Sequence, residues 1–164
     1  MADVIDTLLD LPAGSPLAAL RAQRADYVRY TQGSYEVLLA PEDPGGLSLV
    51  ERAAAALRVA MVHRDERLVA HYRERLAAVG GGGVLPLEET LAEEVPASRL
   101  AALLHHADRV ARAPGQATAD HLATLRAAGF GPRDIVALSQ LIAFVSYQAR
   151  VLAGMRLLAA EVPP

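Results

Sequence analysis

Residues 134–151 read DIVALSQLIAFVSYQARV and carry the most regular pattern in the chain. Apolar residues recur there at alternating intervals of three and four, the spacing that places side chains on one face of an α-helix. They are Ile135, Leu138, Ile142, Val145 and Ala149, and Leu152 continues the pattern just beyond the stretch. A second apolar stripe beside them consists of Val136, Leu141 and Phe144. A helix that is apolar on two sides is buried on two sides, so the pattern predicts a central bundle helix or a helix at a subunit interface.

The composition of the 164 residues fits a folded all-α protein. Apolar residues make up 52% and charged residues 21%, which excludes disordered and collagen-like classes. Aromatic residues amount to only 4%, and no run of β-branched residues alternates with polar ones. We therefore expect helices only. The length is that of one domain, and residues 1–164 are predicted to form it.

The same composition excludes several chemistries. Cysteine is absent, so disulfides, thiolate metal sites and thiol reactions are excluded. All 16 basic residues are arginines, which excludes a lysine Schiff base or a phosphate-loop lysine. The net charge of −3 and the scattered arginines give no basic face for nucleic acid. No cofactor is predicted.

We expect neither export nor membrane insertion from the sequence. Asp3 and Asp6 make the N-terminus acidic where a secretory leader would be basic. The longest uncharged stretch, Ile135 to Ala149, is shorter than the roughly 20 residues that cross a bilayer. The sequence therefore predicts a cytoplasmic protein without a membrane span.

The first half of the chain contains clear helix signals. A short helix is expected over Asp3–Leu9, and Ser15 is placed to cap a helix over Pro16–Leu39. The weakest point of that helix is Gly33–Ser34, and residues 41–46 (PEDPGG) end it.

Two capping signals follow. Ser48 and Glu51 have the spacing of a capping box, which predicts a third helix to about Val62. Asp65 is placed to cap a fourth helix, which the four residues at 80–83, all glycine, end as a flexible connection. One face of this helix is expected to be buried: Leu68, Val69, Tyr72 and Leu76.

The second half is predicted to hold a loop and three helices. Residues 85–96 are acidic and bounded by proline, which favours a loop with one helical turn. Helices are expected over Ala97–Ala113 and from the cap Thr118 to Ala128, where Gly129 ends the second. The helix containing residues 134–151 completes the chain.

No metal site is predicted. His105 and His106 with Asp108 resemble a ligand set, but adjacent residues of a helix diverge by about 100° and cannot easily bind one ion. His63 and His121 have no partner at a useful spacing.

Polar residues within the last helix need partners wherever they are buried. They are Ser139, Gln140, Ser146, Tyr147 and Gln148. Hydrogen bonds between helices are the simpler interpretation, and a polar pocket or an interface is the alternative. Arg150 and Arg156 could meet an anionic ligand or pair with Glu161.

The stretch from Leu47 to Gly80 resembles the core of the alkylhydroperoxidase D (AhpD)-like, carboxymuconolactone decarboxylase (CMD) superfamily. The resemblance lies in residues 47–52 (LSLVER), in 65–68 (DERL) and in the two helices that they begin. Three further segments resemble a CMD-domain branch: 3–6 (DVID), 31–35 (TQGSY) and 134–151. In redox-active members a Glu is followed twelve positions later by a Cys-x-x-Cys pair, and a His lies four positions after the second Cys.

This resemblance implies an all-helical subunit that forms a dimer, trimer or hexamer, with a pocket between helices near the subunit boundary. Aligned without gaps, Ala53 stands at the Glu position, Asp65 and Leu68 at the Cys positions, and Tyr72 at the His position. All four catalytic groups are replaced. The peroxidase mechanism implied by the family therefore cannot operate, because neither Asp nor Leu forms or resolves a sulfenic acid.

The remaining candidates for chemistry are Asp65, His71, Tyr72 and Glu51. The position of Asp65 favours the interpretation as a helix cap, and a general base is the alternative. His71 could turn toward the former site, with Glu74 and Arg75 close on the same helix. Glu51 lies two positions before the family's Glu, about 200° around the helix, so capping explains it better.

Three functions are compatible with these residues. The first is a scaffold or binding subunit without thiol chemistry, assembled with itself or with a cysteine-bearing AhpD-like relative. The second is a cofactor-independent acid–base enzyme that decarboxylates or isomerises an acidic lactone with Asp65, His71 and Tyr72. The third is a purely structural oligomer. We expect the first, and we expect no enzyme activity.

Overall fold

The computed structural model describes residues 3–84 and 98–161, which are helical and contain no strand. The predicted all-α class is confirmed. The loop predicted over 85–96 lies outside the described residues. The helices are α1 (Val4–Leu8), α2 (Pro16–Ala22), α3 (Ala25–Leu39), α4 (Leu49–His63), α5 (Glu66–Ala78), α6 (Arg99–Arg112), α7 (Ala119–Ala127) and α8 (Pro132–Glu161). Two short 3-10 turns lie at Gly82–Val84 and Pro114–Gln116.

Helix α4 lies at the centre of the bundle and packs against α5, α6 and α8. Its middle is a run of four buried alanines, at positions 53–56, followed by buried Leu57. Alanine has the highest helix propensity and the smallest side chain that still favours a helix. The run therefore lets neighbouring helices approach α4 closely on several sides.

Helix α8 contacts α4, α6 and α3 along its length. Every residue of its predicted first stripe, from Ile135 to Leu152, is buried. The second stripe is buried at Leu141 and Phe144, but Val136 is 57% exposed, so the prediction of burial on two sides is wrong at that position. Among the described residues, α8 alone has the length and mean hydropathy of a membrane span. Half of its most apolar window is buried in the bundle, as in the core helix of a folded domain.

Several predicted caps are confirmed. Ser15, Ser48 and Asp65 each accept a backbone N–H from the first turn of the following helix. The Ser48 capping box is complete, since the Glu51 side chain accepts from the Ser48 N–H at 2.8 Å. Gly129, with φ +89°, ends α7 as predicted, because it adopts the left-handed conformation that few other residues tolerate.

The predicted helix over Pro16–Leu39 is instead two helices that meet at Gln23 and Arg24. Arg21 in α2 is held to α1 by Asp3 at 2.7 Å and by Asp6 at 2.5 Å, whereas α3 packs along α8. The break therefore separates the segment that Arg21 ties to α1 from the segment that follows α8. The predicted weak point, Gly33–Ser34, lies inside continuous helix α3.

The predicted end at residues 41–46 is held in place by buried Arg52. Its guanidinium donates to the carbonyls of Leu38, Pro44 and Leu47, each at 3.0 Å. This one side chain therefore fixes the path of the chain between α3 and α4.

Candidate functional site

Asp65 lies at the N-terminus of α5, and both of its carboxylate oxygens are engaged. Oδ1 accepts the backbone N–H of Leu68 at 3.0 Å. Arg156 of α8 donates to Oδ2 at 2.5 Å and to Oδ1 at 3.2 Å. Burial by itself raises the pKa of Asp65, but hydrogen bonds from Arg156 and from the Leu68 amide outweigh it and lower the pKa below its usual range. Arg156 thus pairs with Asp65, and the suggested pair with Glu161 is not the one observed.

In the structure, the Glu51 side chain takes part in helix capping and in an ion pair. Besides completing the capping box, its carboxylate accepts from Arg99 Nε at 2.6 Å. This ion pair ties the start of α4 to the start of α6.

The other positions of the family frame are filled by packed side chains. Ala53 and Leu68 are buried in the core. Tyr72 is fully buried, and its hydroxyl donates to Gln148 Oε1 of α8. Burial raises the pKa of Tyr72, so the hydroxyl stays protonated and needs this acceptor.

His71 and Tyr72 belong to a group of polar side chains where α3, α5 and α8 meet. We call this group the polar cluster, and its members are Tyr35 of α3, His71, Tyr72 and Arg75 of α5, and Gln148 of α8. His71 Nε2 lies 2.9 Å from the Tyr35 hydroxyl. The His71 ring meets the Tyr72 ring edge-on, with 5.0 Å between centroids, and the Arg75 guanidinium lies 5.4 Å from the centre of the Tyr35 ring.

Burial determines the protonation of the polar cluster. It lowers the pKa of His71, and the positive charge of Arg75 lowers it further, so this imidazole is neutral at pH 7. Burial also raises the pKa of Tyr35. Arg75 is therefore the member that carries a charge.

The four sequence candidates do not form one site. His71 and Tyr72 belong to the polar cluster, whereas Asp65 contacts the C-terminal part of α8 and Glu51 contacts α6. No hydrogen bond of Asp65 joins it to His71. Tyr35 was not predicted as a site residue, and Gln148 was predicted only as a polar residue of the last helix that needs a partner wherever it is buried. The spacing of four between His71 and Arg75 was the available signal, since it places both on one face of α5.

Hydrogen bonds between helices account for three of the polar residues in α8, as the simpler interpretation predicted. Ser146 Oγ lies 3.0 Å from His63 Nε2, and the Tyr147 hydroxyl lies 3.1 Å from Thr31 Oγ1. The third is Gln148. His63, which was predicted to have no partner at a metal-binding spacing, is thus one of these hydrogen-bond partners.

The side chains of His105, His106 and Asp108 have three different surroundings in the structure and do not form one ligand set. His105 is exposed, and Asp108 pairs with Arg58. His106 is buried, and neither of its ring nitrogens has a hydrogen-bond partner among the described residues. Within residues 3–84 and 98–161, no three His, Cys, Asp or Glu side chains converge as metal ligands. His121 also has a partner, since its Nδ1 accepts the Thr118 N–H at 3.0 Å.

Helices α3 and α8 share an exposed apolar surface, which we call the α3/α8 face. Tyr27, Tyr30, Val37 and Val136 on it are each more than half exposed. A groove of about 760 Å³ runs between the two helices, and Gly33, Ser34, Ala143 and Phe144 are among the residues that line it.

The fold is similar to that of a solved protein, an uncharacterized peroxidase-related protein from Silicibacter sp. TM1040. The TM-score is 0.73, and the match covers 90% of this chain and 88% of that chain. The two proteins share one fold. The sequence identity is 18%, so the likeness concerns the fold alone. No family model matches the sequence, and no curated protein matches it.

Proposed function

We propose that the protein is a thiol-independent member of the AhpD-like, CMD superfamily, from the CMD-domain branch, that acts as a homo-oligomeric binding subunit. The engagement of Asp65 carries the thiol-independent part of this proposal, and the α3/α8 face carries the assembly. At the position of the family's first cysteine, the Leu68 amide and Arg156 occupy the carboxylate, which leaves no free nucleophile or base. The shared fold and the resemblance of residues 47–80 and 134–151 support the assignment.

The other three positions of the frame support the absence of peroxidase chemistry. Reduction of a hydroperoxide by this family needs a thiolate to attack the peroxide and a second thiol to resolve the sulfenic acid. Leu68 is fully buried and carries no reactive group, Tyr72 is a protonated phenol bound to Gln148, and Ala53 is packed in the core. These side chains stabilise the bundle where the family's residues react.

The α3/α8 face supports assembly with a second copy. Contiguous exposed apolar surface on a folded domain marks interaction sites. Exposed Tyr30 and Val37 form walls of the groove, and the small residues Gly33 and Ser34 also line it. A two-fold interface brings the same patch of two subunits together, so the walls of one copy can pack into the groove of the other. The charges at the edge of the face also suit contact with a second copy, because Asp26 and Arg29 form an ion pair there.

The Tyr35–His71 pair favours one alternative, a cofactor-independent acid–base enzyme. A neutral imidazole 2.9 Å from a phenol is the arrangement of a general base with a hydrogen-bonded neighbour. Asp65 has no part in this version, since Arg156 holds it elsewhere. Activity toward an acidic lactone that His71→Gln abolishes would favour the enzyme over the binding subunit.

Native mass spectrometry of the untagged protein from its own cells tests the proposal, together with a hydroperoxide assay using dithiothreitol as reductant. We expect a homo-oligomer, or a complex with a cysteine-bearing relative, and no hydroperoxide turnover by the purified chain. A monomer would contradict the assembly. Turnover that Asp65→Ala or His71→Gln abolishes would contradict the absence of peroxidase chemistry.

A further inference from the structure

Two buried hydrogen-bond donors of the polar cluster have no partner among the described residues. They are Nε of Arg75 and Nε2 of Gln148. Gln148 is completely buried, and its Oε1 accepts from Tyr72, which orients the amide. A buried donor without an acceptor costs roughly 1–3 kcal/mol. Two such donors in one cluster indicate a site for an acceptor.

The cluster also contains a positive charge that pairs with no carboxylate of the described residues. Arg75 forms no ion pair with any described residue, although its Nε is buried. His71 is neutral because burial and Arg75 lower its pKa, and it therefore adds no charge at pH 7. Glu74 influences His71 but forms no ion pair with Arg75. The acceptor that suits this cluster is therefore an anion with a single charge.

The members of the cluster are arranged from partly exposed to fully buried. Tyr35, His71 and Arg75 are half-buried, whereas Tyr72 and Gln148 are inaccessible to solvent. Tyr35 and Arg75 therefore form the solvent side of the cluster, and Gln148 forms its buried end.

We propose that the polar cluster binds a small organic carboxylate. Its oxygens accept hydrogen bonds from Arg75 Nε and Gln148 Nε2, and Tyr35 lies beside it. A carboxylate suits the site because it has two acceptor oxygens and one charge, and because arginine binds it with charge-assisted hydrogen bonds. This inference rests on the binding role proposed above and names its ligand class. It does not depend on the oligomer.

Isothermal titration calorimetry of the intact protein with acetate, propionate and benzoate tests the site. We expect saturable binding of at least one of these carboxylates. Arg75→Gln should weaken it about tenfold or more, since it removes a charge-assisted hydrogen bond. Arg126→Gln is the matched control, because it removes the same charge from an exposed position on α7 and should leave binding unchanged.

Three results would overturn the proposal: no saturable binding by the wild type, equal binding by Arg75→Gln, or equal weakening by Arg126→Gln. A crystal structure grown with the bound carboxylate gives an answer that does not depend on how the variants fold. Density for the carboxylate beside Arg75 Nε and Gln148 Nε2 supports the site, and water alone there overturns it. Native mass spectra of the same samples report the oligomer separately, so a failure of the carboxylate site is distinct from a failure of the assembly.

Discussion

Asp65 and Arg156 join the first turn of α5 to the last third of α8 through two hydrogen bonds, of 2.5 and 3.2 Å. The Asp65 side chain is 6% exposed and that of Arg156 is 40% exposed, so solvent weakens the pair from one side. The contact positions the end of α8, and together with the Leu68 amide it engages both carboxylate oxygens of Asp65.

Two substitutions at Asp65 separate its capping role from its ion pair. Asp65→Asn keeps an oxygen for the Leu68 amide and loses the charge, and it should cost less than about 1 kcal/mol of unfolding free energy. Asp65→Ala loses both contacts and should cost about 1–2 kcal/mol. Urea denaturation at pH 7 measures both variants. Equal stability of Asp65→Ala and the wild type would contradict the capping role.

The pH dependence of the same pair has a definite sign. The pKa of Asp65 is lower in the folded protein than in the unfolded chain, so its stabilisation is present above the unfolded value of about 3.9. It is lost as the pH falls through the folded pKa. The stability difference between wild type and Asp65→Asn should therefore shrink below about pH 4.

A double-mutant cycle tests the buried hydrogen bond between Tyr72 and Gln148. Tyr72→Phe and Gln148→Leu should each cost about 1–3 kcal/mol, because each leaves a buried polar atom without its partner. The double variant should be much less destabilised than the sum, since it replaces both partners with apolar groups. Additive losses in thermal or urea unfolding would show that the two residues are not coupled.

His106 is predicted to reduce stability in acid. Burial lowers its pKa, and the charges of Arg109 and His121 add to this, so the unfolded chain takes up a proton more readily than the folded protein. Stability should therefore fall as the pH drops below about 6.5. His106→Leu should make that decline shallower and should stabilise the protein by about 1 kcal/mol at pH 7, because it removes two buried nitrogens that have no partner in residues 3–84 and 98–161.

The neighbouring exposed residue provides the control for His106. His105→Leu changes the same side chain at an exposed position of the same helix and should leave the pH dependence unchanged. Unfolding in urea at pH 7.5, 6.5 and 5.5 compares the three proteins. An unchanged slope in His106→Leu would contradict the role of this histidine.

The α3/α8 face is tested by placing a charge in it. Val37→Glu should dissociate the oligomer, because Val37 is 66% exposed in the subunit and an interface would bury the new carboxylate without a partner. Leu20→Glu, at an exposed leucine of α2, is the control and should leave the mass unchanged. Sedimentation velocity measures the mass of each variant. Dissociation by both variants, or by neither, would argue against this face.

Helices could be predicted from the sequence where the residues that indicate them lie within a few positions of one another. The stripe from Ile135 to Leu152, the cap at Ser15 and the capping box of Ser48 depend on residues three or four positions apart, and all three are observed. The break at Gln23 and Arg24 was not predictable. It depends on contacts of Arg21 with α1 and of α3 with α8, which a pattern within the segment does not contain.

The sequence by itself determined the helical class, most helix ends and the absence of thiol chemistry, because these follow from composition and from contacts within one turn of a helix. The tertiary structure decided which candidates meet. His71 joins Tyr35 from 36 positions away, Tyr72 joins Gln148 from 76, and Asp65 joins Arg156 from 91. Such pairs form only when helices pack at a particular distance and rotation, and those are set by the shapes of all the buried side chains together.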